Sequence, residues 1–171
     1  QELQELLGFV VERIQKQLQD EMQERQLVMG TTLSMLYLWT KEYIIWQVGD
    51  SRIYLLYGST ARQMTKDQTW WQEEMDAGRL TKEQAAMHPK RHVLTNALGS
   101  REGLFIDIQT GKVKKGRRFL LCSDGYYHYF CERELKKRLF CRNPRKLLER
   151  SAERIRKGAA EDNFTAVMVE V

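Results

Sequence analysis

From Glu2 to about Arg25, the residues Leu3, Leu6, Leu7, Val10, Val11, Ile14, Leu18 and Met22 recur at three- and four-residue spacings. That is the period of a single apolar stripe along an α-helix. A stripe of this length has to cover another element, and the texture that follows says which kind. From Met29 to Met64 the chain turns β-branched and aromatic, in runs Thr31 to Trp39, Glu42 to Val48, Ile53 to Tyr57 and Thr60 to Met64. Breaks at Thr40-Lys41, Gly49-Asp50-Ser51 and Gly58-Ser59 predict an antiparallel meander.

Two helical stretches follow, Thr69 to about Ala77 and Thr81 to Met87, where Thr81 and Gln84 have the spacing of a capping box and Pro89 ends the pattern. Strand-like segments return at Val93 to Asn96, Leu104 to Gln109 and Arg117 to Cys122. Helices fit Glu132 to Phe140 and Pro144 to Lys157, the second with proline in its first turn. An alternating run from Asn163 to Val171 reads as a final buried strand. No repeat, low-complexity tract or linker interrupts this order. The expectation is one α+β domain over 1–171, a sheet-rich core with helices on its faces.

The 171 residues, 42% hydrophobic and 30% charged, can bury one core and are short for two. Cys122, Cys131 and Cys141 are odd in number and include no C-x-x-C pair, which argues against a disulfide framework or a thiolate zinc site and favours a reducing, cytoplasmic setting. No apolar run approaches the roughly 18 residues of a membrane span. The net charge of +5 is uneven: Arg133 to Lys157 carry eleven basic and three acidic residues, leaving the remainder at −3. With no recognition module beside it, this segment reads as solvated helix faces in preference to a nucleic-acid interface.

Three aspartates stand where strands end beside small residues: Asp50 in Gly49-Asp50-Ser51-Arg52, Asp124 in Ser123-Asp124-Gly125, and Asp162 in Asp162-Asn163. Singly, each is ordinary turn chemistry. Together they imply more, because Phe119 to Cys122 is an apolar strand ending near one carboxylate, and another apolar strand begins just after Asp162. If those strands are neighbours, the carboxylates converge at one sheet edge, where a hard divalent cation, Mg²⁺ or Mn²⁺, offsets their repulsion. Such a site suits metal-assisted hydrolysis at phosphorus.

The ordered blocks Met29-Gly30-Thr31-Thr32-Leu33, Val48 to Tyr54, Leu94-Thr95-Asn96-Ala97-Leu98-Gly99, Leu121 to Gly125 and Asp162 to Thr165 resemble the metal-dependent type 2C (PPM) serine/threonine protein phosphatases in their bacterial form. The resemblance runs from about Met29 to Val171. It implies a β-sandwich flanked by helices (α/β/β/α), two to three Mg²⁺ or Mn²⁺ ions, and hydrolysis of phosphoserine or phosphothreonine on protein substrates by metal-activated water. It implies metal-ligand roles for Asp124, Asp162 and, at a weaker third ion, Asp50. The stretch from Asp67 to Arg91 corresponds to the flap beside the family's active site, with Asp67 and Arg91 as its candidate substrate-side residues.

Some family features have no counterpart. The upstream glutamate-aspartate strand, the phosphate-binding arginine and the Asp-Gly-x-x-Gly motif all precede the helix that matches Glu2 to Arg25. The reading is therefore of an N-terminally truncated domain, poor at holding metal alone and exposing a face through which it self-associates. The family's Asp-His-Ser reads Asp67-Gln68-Thr69, and the leucine after Ser-Asp-Gly is replaced by Tyr126-Tyr127-His128-Tyr129, a cluster that reads first as packing. The alternative to an enzyme is a non-catalytic, phosphatase-like interaction module using the flap and the basic helices.

Overall fold

The computed structural model describes residues 2–57, 60–100, 103–130, 143–158 and 162–171. The helix expected over Glu132 to Phe140, with Cys131 and Cys141, lies outside these residues. The chain divides into two compact units, 1–33, 47–49 and 68–107 in one, and 34–46, 50–67 and 108–171 in the other.

The second unit carries the sheets. Strands β1 (Leu33–Trp39), β2 (Glu42–Val48) and β5 (Asp107–Lys112) form one sheet in the order β1-β2-β5. Strands β3 (Arg52–Tyr57), β4 (Thr60–Gln63), β6 (Arg118–Cys122) and β7 (Ala166–Glu170) form the other, in the order β4-β3-β6-β7 with every pairing antiparallel. The first four strands are thus not a meander. After β2 the chain turns at Gly49, whose φ of 91° falls in the left-handed region that favours glycine, and enters a different sheet.

Alternation along β3 and β6 explains why both read as unbroken apolar runs. Ile53, Leu55 and Phe119 join Tyr43 and Ile45 of β2 in one core, whereas Tyr54, Leu56, Leu120 and Cys122 face a second core. That second core is closed by Tyr126 and Tyr127 of the short helix α4 (Asp124–Tyr127), by Phe130, and by Leu147 and Ile155 of α5 (Pro144–Lys157). Sheet, sheet and helix layers therefore stack, and β6 is buried on both faces. The final strand differs from expectation. β7 is a half-buried edge among the described residues, with Val167 50% exposed.

The strand expected at Leu104 to Gln109 lies three residues later. At Gly111 a Cβ would come within 2.5 Å of the Tyr43 ring, so the glycine that resembles a strand breaker is what lets β5 lie against that buried tyrosine.

The first unit is held by helix α1 (Glu2–Arg25), α2 (Trp70–Asp76), α3 (Lys82–Met87) and the loops among them. On α1, Gln15 and Gln19 each donate to the Ser100 carbonyl at 2.8 Å, and the Gly99 N–H donates back to Gln15 Oε1 at 2.6 Å. The Thr81–Gln84 capping box is present in full. Val93 to Asn96 is not a strand. Its backbone N–H groups go to nearby loop carbonyls, Val93 to Lys90 and Thr95 to Gln68, and Leu94 makes one isolated bridge to Thr69.

Candidate metal centre

Register alone gathers the aspartates. Arg52 pairs with Cys122, and Cys122 with Ala166, in an antiparallel ladder. The start of β3, the end of β6 and the start of β7 therefore lie at one end of the four-stranded sheet, and Asp50, Asp124 and Asp162 stand within four residues of those ends. The β6 and β7 ends are tied directly: the Ser123 N–H donates to the Thr165 carbonyl at 3.1 Å, and the Thr165 N–H to Ser123 Oγ at 3.0 Å. Between them sits Gly125, where a Cβ would fall 2.3 Å from the Asn163 carbonyl oxygen and 3.4 Å from Asp162 Cβ. Only a residue without a side chain allows this approach.

Asp124 and Asp162 each accept, through Oδ1, the N–H of the next residue, Gly125 at 2.8 Å and Asn163 at 2.7 Å. These short turns fix the carboxylates relative to their own backbones. Asp50 is the buried member, 8% exposed. Burial, followed by the nearby charges of Asp124 and Asp67, raises its carboxyl to about 6, against the pull of its own backbone hydrogen bond and of Arg52.

Arg52, partly buried, and Asp67, buried, form an ion pair at the same end. Arg52 Nε donates to Asp67 Oδ1 at 2.9 Å and its NH2 nitrogen to Oδ2 at 2.5 Å, with the Asp67 side chain 2% exposed. Gln63 Nε2 adds a bond to Asp67 Oδ1 at 2.9 Å, and the remaining Arg52 nitrogen donates to the Tyr54 hydroxyl at 3.1 Å. Burial is the largest influence on the guanidinium and lowers its pKa, but the hydrogen bond to Asp67 together with the charges of Tyr54, Asp67 and Tyr127 more than offsets it, and the net shift is upward. Arg52 is permanently charged.

Asp67 is thus buried with both oxygens engaged. Arg91 lies in the other unit, exposed, with its Nε on His92 Nε2 at 2.7 Å. Within the flap stretch, Trp70 and Trp71 are both half-buried, and Trp70 packs on His88 at a centroid distance of 4.5 Å. Gln68 is a hub within its own unit, its Oε1 accepting from the Gly49 N–H at 2.6 Å and from Asn96 Nδ2 at 2.7 Å. The sequence assigns no role to Arg52 or Gln63, and singles out Gln68 only as a departure from the family's Asp-His-Ser. Arg52 carries a signal, as the last residue of the Gly-Asp-Ser-Arg block, and Gln63 carries none.

The donor set fits a hard cation in chemistry and charge: all oxygen, with the buried Asp50 carboxyl feeling the charge of Asp124. Its completeness is another matter. Among the described residues, no three His, Cys, Asp or Glu side chains group closely enough to hold an ion by themselves.

A family model for protein phosphatase 2C matches residues 2–164. The chain is 35% identical over 145 residues to the serine/threonine phosphatase stp of Listeria welshimeri, a match covering 83% of this chain and 57% of that protein. A solved serine/threonine phosphatase of S. agalactiae shares the fold at a TM-score of 0.91 and 22% identity, over 99% of this chain and 72% of the other. The catalytic domain of the phosphatase PstP, solved with two manganese ions, superposes at a TM-score of 0.79 with 28% identity, over 91% of this chain and 66% of that one. The chain belongs to the protein phosphatase 2C (PPM) family, and its α+β architecture is that of the family's solved members. It spans 57% of the length of its Listeria relative.

Proposed function

We propose that this chain is the C-terminal portion of one phosphatase domain, a metal-dependent protein serine/threonine phosphatase acting on phosphoserine and phosphothreonine in proteins. The observation that carries the reading is the ladder register that brings Asp50, Asp124 and Asp162 to one sheet end, in a chain of this family. We assign metal-ligand roles to Asp124 and Asp162, with Asp50 serving a further ion. Mg²⁺ or Mn²⁺, when bound, supplies the activation of water and the charge that phosphoryl transfer demands.

The chain's own residues prepare that end. The Gly125 and Asn163 N–H groups hold Asp124 and Asp162 in place, and Arg52 with Asp67 forms a rigid, charge-balanced floor beside Asp50. In this reading the stretch 67–91 is the flap: Asp67 anchors its start, and the exposed Arg91 meets phosphoprotein substrate. A cytoplasmic, signalling role follows for such an enzyme, and no described helix is long and apolar enough to cross a membrane. The test is hydrolysis of a phosphothreonine peptide by the complete gene product in Mn²⁺. Asp124→Asn loses most of the turnover with its fold intact by circular dichroism. Full activity in that variant refutes the assignment.

A further inference from the structure

We infer that Tyr127 is a positioning residue for Asp50, its hydroxyl holding the backbone and carboxylate of that aspartate in one orientation at the sheet end. The inference rests on the reading of Asp50 as a cation ligand. Tyr127 Oη donates to the Asp50 carbonyl at 3.1 Å and lies 3.5 Å from Asp50 Oδ2, across 77 residues of sequence. The tyrosine is 4% exposed, so its ring is fixed by packing in the core on the helix side of the sheet.

A second contact fixes the ring from the other side. The Arg52 guanidinium carbon lies 3.6 Å over its centroid, and Arg52 is itself clamped bidentately by Asp67. The chain of contacts therefore runs Gln63, Asp67, Arg52, Tyr127, Asp50, each member buried or held by the next. A phenylalanine would fill the same core volume and stack on the same guanidinium. The hydroxyl is the one atom that packing does not require, and it is spent on Asp50. Burial raises the phenol's pKa, so it remains a donor throughout the physiological range.

Groups that orient a metal-binding carboxylate commonly change affinity by about tenfold or more when removed. The test is Mn²⁺ binding to the complete gene product, by calorimetry and by electron paramagnetic resonance of free Mn²⁺, for wild type, Asp50→Asn, Tyr127→Phe and Tyr54→Phe. Both Tyr→Phe changes keep the ring and remove one buried hydroxyl, and thermal melts confirm that they fold. Tyr54 is the control, since its hydroxyl serves Arg52. The expected result is that Tyr127→Phe weakens, by about tenfold, the same Mn²⁺ site that Asp50→Asn removes, and that Tyr54→Phe leaves it unchanged. If Asp50→Asn weakens the site and Tyr127→Phe does not, or Tyr54→Phe weakens it equally, the positioning role is overturned alone. If Asp50→Asn leaves Mn²⁺ binding at its wild-type value, the ligand reading falls and takes the inference with it.

Discussion

Cys122 shows how burial decides chemistry at the scale of one residue. It is 5% exposed at the end of β6, in the core that Tyr126 and Tyr127 close, and burial pushes its thiol up to about 12, with Arg52 opposing and Asp67 adding to the shift. Thiols react as thiolates, so this one is inert in the folded chain at ordinary pH. Iodoacetamide at pH 8 is expected to leave Cys122 unmodified in the native protein and to label it fully in denaturant, as read by the mass of its tryptic peptide. Rapid native labelling would contradict that burial. The residue's sequence context already placed it as a small core side chain, because three apolar neighbours precede it. Tyr127 was not legible in the same way. Its pattern gives packing, which it does; the hydroxyl's target lies 77 residues away and becomes a neighbour only through the β3–β6 register.

Among the elements, the β3–β4 hairpin and the segment leaving it are joined by Arg52 and Asp67. Removing one member of a buried pair strands the other charge without its partner, a loss of about 3 kcal/mol. Asp67→Asn should therefore lower the urea midpoint by that equivalent; a loss below about 1 kcal/mol would place the pair among ordinary surface bridges. The long periodic elements were the legible ones. The sequence periods give α1 and α5 with the boundaries the structure has, Glu2–Arg25 and Pro144–Lys157, because each carries a helical apolar stripe and α5 also has an Asn143 cap and a first-turn proline. Val93 to Asn96 and β5 depart from the sequence expectation for a common reason. Strand character there depends on what lies alongside: loop carbonyls take up the first segment's N–H groups, and Tyr43 fills the space beside Gly111.

For the whole molecule, Asp50 links folding to pH. Its carboxyl rises from 3.8 to about 6 on folding, so the folded chain holds this proton more tightly than the unfolded one. That contribution is fully present below pH 3.8 and is lost as pH rises through 6. In metal-free buffer, Asp50→Asn is expected to stabilise the chain at pH 7 by about 1–2 kcal/mol, after allowance for solvent screening, and by little at pH 4. Urea midpoints at the two pH values provide the measurement, and an equal effect at both would refute the linkage. That the aspartates flank apolar strands is legible in the sequence. The ladder supplies what spacing could not, namely that β3 and β7 begin at the sheet edge where β6 ends.

Gly125 shows a different kind of constraint. The loop bearing Asp124 and the loop bearing Asp162 meet backbone against backbone across a position that has no side chain. The gauge between the two carboxylates is thus set by a missing methyl group, and a single added carbon works as a shim. Replacing this glycine would widen the gap or force both loops to be rebuilt, so the spacing of Asp124 from Asp162 depends on position 125 as much as on the aspartates themselves.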